Sequence, residues 1–158
     1  MVRFSVALAA SLGLICLGCQ TTAPVTTGNP AAASPSPTPA APLFETRWVL
    51  RMLDKQVVTV PAGGQEAYLL LRRTGAAEGQ GSCNRFRGSA SADSLQSLTF
   101  SPLLSTRMAC PALATEQAFT RALAATHSYR ISGDTLRLYT DNQTTTTPLV
   151  QLEAVYLP

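Results

Sequence analysis

The sequence predicts a mostly β (α+β) fold: a small antiparallel sheet, barrel-like or two-layered, with one helix packed on it. Three observations point there. From residue 44 the apolar residues come in short runs, cut repeatedly by glycine, proline and aspartate turn signals. One segment, 112–126, instead repeats its apolar residues at helical spacing. The stretch 44–158 holds about 115 residues, enough for one domain with a modest core. Roughly eight short strands in so little chain must curl or stack in two layers to hide their apolar faces.

The chain ahead of that domain has a different character. Residues 1–18 carry Arg3 and then an uncharged apolar run from Phe4 to Leu17. As a helix this run rises about 21 Å, short of a hydrocarbon core of roughly 30 Å, so it predicts an export signal rather than a membrane span. It ends in Cys16-Leu17-Gly18-Cys19, which resembles the bacterial lipobox, with the small Gly18 before the cysteine that takes lipid. Cys19 is the expected lipidation site; Ile15 before Cys16 is too bulky for the same role. An ordinary secretory signal with an incidental cysteine is the alternative. Gln20 follows, where aspartate is the usual inner-membrane retention signal of enteric-type bacteria. The expected address is therefore the cell envelope, lipid-anchored, with the outer membrane facing the periplasm favoured. The lipid is the expected membrane contact, because acyl chains contribute about 0.8 kcal/mol per buried methylene.

Residues 19–43 read as the anchored linker. Six prolines fall between positions 20 and 43, with no charged or aromatic side chain. Such a composition cannot bury a core and favours extended polyproline II, reaching on the order of 75 Å.

The domain, 44–158, opens with Glu45 to Leu53, where Trp48, Leu50 and Met52 share one parity, as in a half-buried strand. Val57 to Val60 is β-branched and stops at Pro61. Ala67 to Leu71 is apolar on both parities, which predicts a central strand covered on both faces. Glu78 to Ala92 is rich in glycine, serine and other small residues, and Leu95 to Phe100 gives another short strand. Cys110-Pro111 then opens the helix, since proline is tolerated in a first turn. Ala118, Phe119, Ala122 and Leu123 form its apolar stripe, with Glu116 early and Arg121 late, as the helix dipole prefers. Tyr129 and Ile131 alternate with polar residues, Gly133-Asp134 turns the chain, and Leu136 and Leu138 alternate again, a hairpin signal. A threonine run, 144–147, precedes a closing strand, 149–157.

Two cysteines of the domain, Cys83 and Cys110, lie 27 residues apart. In an oxidising envelope they are expected to form a structural disulfide, tying a strand-and-turn segment to the helix entrance. A loop of that length stabilises by roughly 3.5 kcal/mol in the chain-entropy treatment. Their surroundings are Gly81-Ser82-Cys83-Asn84-Arg85-Phe86-Arg87-Gly88-Ser89 and Ser105-Thr106-Arg107-Met108-Ala109-Cys110-Pro111. With Thr46-Arg47-Trp48-Val49-Leu50 and the hairpin 128–138, these segments resemble the META domain, the HslJ-like family of envelope proteins. The resemblance covers nearly all of 44–158. Ser82 stands where the family usually has glycine, and Ala90 where an aromatic is common. What the resemblance implies is a mostly antiparallel β domain with one helix, often delivered as a lipoprotein and associated with envelope stress or antibiotic tolerance. It implies no reaction and no catalytic residues.

Direct evidence for chemistry is sparse. Loss of Arg3 with the signal leaves 11 basic against nine acidic side chains, scattered along the chain, which argues against a nucleic-acid partner. The two domain cysteines lack the Cys-x-x-Cys spacing of a redox pair, and no Gly-x-Ser-x-Gly elbow or complete phosphate-binding glycine loop occurs. Zinc would need two further ligands beside the cysteines, and His127 is the sole histidine. No catalytic residue, metal or cofactor is expected; His127 instead suits the helix's last carbonyls. Asn84, Arg85 and Arg107 flank the cysteines as a candidate polar recognition spot for a carboxylate, phosphate or partner loop. The alternative is turn closure by Asn84 and surface hydrogen bonding by the arginines. The function expected is a non-enzymatic envelope protein that supports integrity or stress tolerance by binding another component, an envelope protein for example. A carrier of a small apolar ligand in a barrel mouth is the second reading, and it would need an interior cavity.

Overall fold

A computed structural model describes residues 39–60, 62–141 and 147–156. The expected signal, Cys19 and most of the linker lie outside the described residues, as do 142–146 in the threonine run and Leu157. The elements in chain order are β1 (Arg47–Leu53), β2 (Gln56–Val57), β3 (Tyr68–Leu71), β4 (Ala76–Gln80), β5 (Arg85–Ala92), β6 (Leu98–Phe100), β7 (Leu104–Ser105), α1 (Leu113–Ala124), β8 (Ser128–Ser132), β9 (Thr135–Tyr139) and β10 (Val150–Val155). The fold is mostly β with a single helix among the described residues, as the apolar runs predict.

The strands form one antiparallel sheet in the order β6-β5-β4-β3-β1-β10-β9-β8, with β2 pairing β1 and β7 pairing β5. Its two ends then approach each other. Leu98 N–H donates to His127 O at 3.0 Å, Tyr129 N–H to Gln96 O at 2.9 Å, and Ser97 bridges Ser128. The sheet is thus nearly closed into a barrel, which satisfies edges that would otherwise be open to pairing. Trp48, Leu69, Leu71, Leu98, Leu136, Leu138 and Leu152 point inward and are fully buried, and α1 adds Phe119 and Leu123 to the same core. The Trp48 indole N–H donates to Leu43 O at 2.9 Å, so its polar edge is satisfied inside the core.

Several expectations are corrected. The globular body starts before 44: Ala41 and Leu43 belong to the core, and Ala41 N–H donates to Gly133 O at 3.0 Å. The strand expected over Val57–Val60 shrinks to Gln56–Val57, because the chain leaves the sheet after a tight hairpin. Asp54 and Lys55 both take positive φ, 47° and 68°, at that turn. Strand β3 is central but covered on one face only. Leu69 and Leu71 face inward; Tyr68 and Leu70 are half-buried on the outer face, where the Arg47 guanidinium lies 3.8 Å from the Tyr68 ring centroid. Glu78–Ala92 is the β4–β5 hairpin, whose smallness is a packing requirement. A Cβ on Gly79 would lie 2.1 Å from Tyr68 O and 2.5 Å from Phe86 Cζ. Leu95 is exposed in a turn held by the Asp93 carboxylate, which accepts the N–H groups of Leu95 and Ser97.

Candidate functional site

The turn after β4 reverses the chain over Gly81–Asn84, closed by Gly81 N–H donating to Asn84 O at 2.8 Å. Cys83 in this turn is bonded to Cys110, with Cα atoms 5.9 Å apart, so the turn is fixed to the segment that enters α1. A second, non-covalent clasp lies beside it. Asn84 is only 2% exposed and its amide is fully engaged: Nδ2 donates to Met108 O (3.0 Å) and Glu116 Oε1 (3.1 Å), while Oδ1 accepts from Met108 N–H (2.7 Å) and Thr106 Oγ1 (2.9 Å).

Glu116 completes the clasp from the helix. It is 5% exposed, and its carboxylate accepts the Asn84 backbone N–H at 2.5 Å and the Ser105 hydroxyl at 3.2 Å besides the amide of Asn84. A carboxylate taken out of water needs such donors, and it also sits in the helix's first turn, where the dipole favours negative charge. Gly81 gives it room: a Cβ there would lie 2.5 Å from Glu116 Cγ. One covalent bond and this network therefore bind the β4–β5 turn, the 105–108 strap and α1 into a unit.

On the outside of that unit runs a basic face. Strand register places Arg85 opposite Gln80 and Arg87 opposite Glu78 and Leu104. Arg85 and Arg87 share one side of β5 and line a cleft of about 530 Å³ with Tyr68, Leu104 and Thr106. Leu104 and Thr106 also line the adjoining cleft of about 610 Å³ that holds Arg107 and Met108. Glu78 is drawn away from Arg87 by Arg72, whose Nε and Nη2 both lie 2.7 Å from its Oε1. Arg72 also binds Glu45 at 2.9 Å. Among the described residues no ion pair includes Arg85, Arg87 or Arg107.

Residues 41–152 match the META domain family. The chain belongs to that family. A solved structure, the NMR structure of a protein from Burkholderia xenovorans, is similar at 28% identity and a TM-score of 0.56, covering 80% of this chain and 96% of that one. No curated protein matches.

Within this META domain the two segments that carried the sequence resemblance are the two sides of the clasp. The residues proposed as one recognition spot are separated by it. Asn84 is withdrawn into the interior, whereas Arg85 and Arg107 stay exposed. Sequence reasoning missed the buried role of Glu116, which it connects only with the helix dipole. The available signal was its place one turn before Phe119 and two before Leu123, on the stripe that had to be buried. Arg87, Leu104 and Met108 were missed because nothing in sequence distinguishes an unpaired surface arginine from a paired one. His127 lies just past α1, with Nδ1 3.1 Å from Ala125 O. Among the described residues no group of three His, Cys, Asp or Glu side chains converges on a common point.

Proposed function

We propose that this META domain is the binding module of a non-enzymatic, lipid-anchored envelope protein that supports envelope integrity by holding another component. One observation carries the reading: three arginines with no carboxylate partner among the described residues stand on a face tied by a disulfide and a buried clasp. Rigid presentation lowers the entropy lost on binding, and guanidinium groups suit carboxylate or phosphate partners. The anchor rests on Gly18-Cys19 at the end of the apolar run, and the outer-membrane preference on Gln20. The carrier reading would need an apolar cavity among the buried side chains of Trp48, Phe119, Leu69 and Leu123, and no observation favours it.

Two experiments test this function. Radioactive palmitate should label the wild type and not Cys19→Ala; equal labelling removes the anchor. A photo-reactive side chain in place of Leu104 should capture a defined component in intact cells, while the same group in place of exposed Val57 should not. Equal capture from both positions contradicts binding through the arginine face.

A further inference from the structure

The face of Arg85, Arg87 and Arg107 is not only basic. Leu104, paired with Arg87 just ahead of the 105–108 strap, is 73% exposed, and Met108 at the strap's end is 66% exposed. In water the domain gains nothing from two large apolar side chains held out beside three arginines that no described carboxylate neutralises. The combination does suit an interface at which phosphates lie next to hydrocarbon. There, arginines meet headgroup phosphates and apolar side chains enter the layer beneath.

We propose that this face docks the domain onto a bilayer surface bearing acidic phospholipid headgroups. The proposal rests on the reading of the same face as a binding surface and names what it binds. Arg85, Arg87 and Arg107 engage headgroup phosphates, and Leu104 and Met108 enter the interfacial layer. Charge complementarity favours this occupant. Glu78, the carboxylate opposite Arg87 in register, is held by Arg72, so the arginines meet an anionic surface without an internal competitor. The exposed apolar pair favours a phosphate that comes with hydrocarbon over a free anion. The disulfide and the Asn84–Glu116 clasp matter here because they fix the strap, so that docking orders little that is not ordered already.

The test uses the full chain with its methionine methyl groups carbon-13 labelled, placed in phosphatidylglycerol nanodiscs containing a gadolinium-headgroup lipid. Met108 reports the proposed face, and half-buried Met52 on β1 is the internal control. Docking predicts strong relaxation of the Met108 methyl relative to Met52. It further predicts that the effect falls in phosphatidylcholine discs, and falls about fivefold in docked population for each arginine replaced in Arg85→Gln, Arg87→Gln and Arg107→Gln. An unchanged Met52 signal confirms that the variants are folded. Equal relaxation of Met52 and Met108, or a Met108 effect that survives the triple replacement, overturns the proposal. If millimolar inorganic phosphate shifts the arginine Nε–H resonances while the discs leave Met108 unrelaxed, the site takes a free anion and the membrane occupant is wrong. If a glutamate decapeptide shifts them instead, an acidic protein segment replaces the bilayer as partner. In-cell capture at position 104 that persists when docking fails would retain the binding reading and sink this inference alone.

Discussion

Glu116 on the helix accepts both the backbone N–H and the side-chain amide of Asn84, a residue 32 positions earlier in the chain. Both are buried, and each leaves the other unsatisfied if it is changed. Asn84→Ala strips partners from Met108 N–H, the Thr106 hydroxyl and Glu116 together, and should cost about 2–4 kcal/mol. Glu116→Gln keeps the shape but sets an amide N–H₂ against donors from Asn84, for about 2 kcal/mol. Denaturant midpoints at unchanged slope measure both. Arg107→Ala on the exposed side should leave the midpoint within about 0.5 kcal/mol of the wild type.

Two adjacent positions should respond in opposite directions. Gly81 has no space for a side chain because Glu116 Cγ lies 2.5 Å from where its Cβ would be, so Gly81→Ala should destabilise the domain. Ser82 has φ of +90°, a conformation in which a Cβ is strained. Ser82→Gly should therefore stabilise by about 1 kcal/mol. Thermal melts of the two variants check the pair, and a loss of stability in Ser82→Gly would contradict the strain.

Arg130 and Arg137 face each other across β8 and β9, and no ion pair among the described residues includes either. Like charges directly opposite on a sheet destabilise it. Arg130→Glu should raise stability by about 0.5–1 kcal/mol, with most of the gain lost near roughly 0.5 M salt.

Glu45 accepts the Arg73 backbone N–H at 2.9 Å and the Arg72 guanidinium at 2.9 Å, and these bonds hold its carboxyl below the ordinary glutamate value. A carboxyl with a depressed folded pKa contributes stability above its unfolded value and loses it as pH falls through the folded one. The stability difference between wild type and Glu45→Gln should accordingly be present at neutral pH and shrink between roughly pH 5 and pH 3. Urea titrations across that range read the difference directly.

The parts of this fold that sequence made legible are those where a local pattern and the tertiary demand coincide. The helix stripe of Phe119, Ala122 and Leu123, and the hairpin turning at Gly133-Asp134, are both found where periodicity places them. The β4–β5 hairpin was not legible because the inward residues Ala77 and Gly79 of β4 are small by necessity: Phe86 of β5 fills the space that a side chain on Gly79 would occupy. The disulfide was expected on the assumption of an oxidising envelope, and Cys83 and Cys110 are bonded in the structure. The clasp could not, since an asparagine beside a turn and a glutamate early in a helix each have an ordinary local explanation. Only their meeting across the fold shows that they are partners.

Amide hydrogen exchange at Met108 tests the central claim most directly, because that residue combines an exposed side chain with a backbone N–H donated to buried Asn84 at 2.7 Å. A rigid, clasped strap predicts that the Met108 N–H exchanges as slowly as the amides of the core strands. Exchange at the rate of a free loop would mean that the strap is not held, and the binding face would lose its fixed geometry.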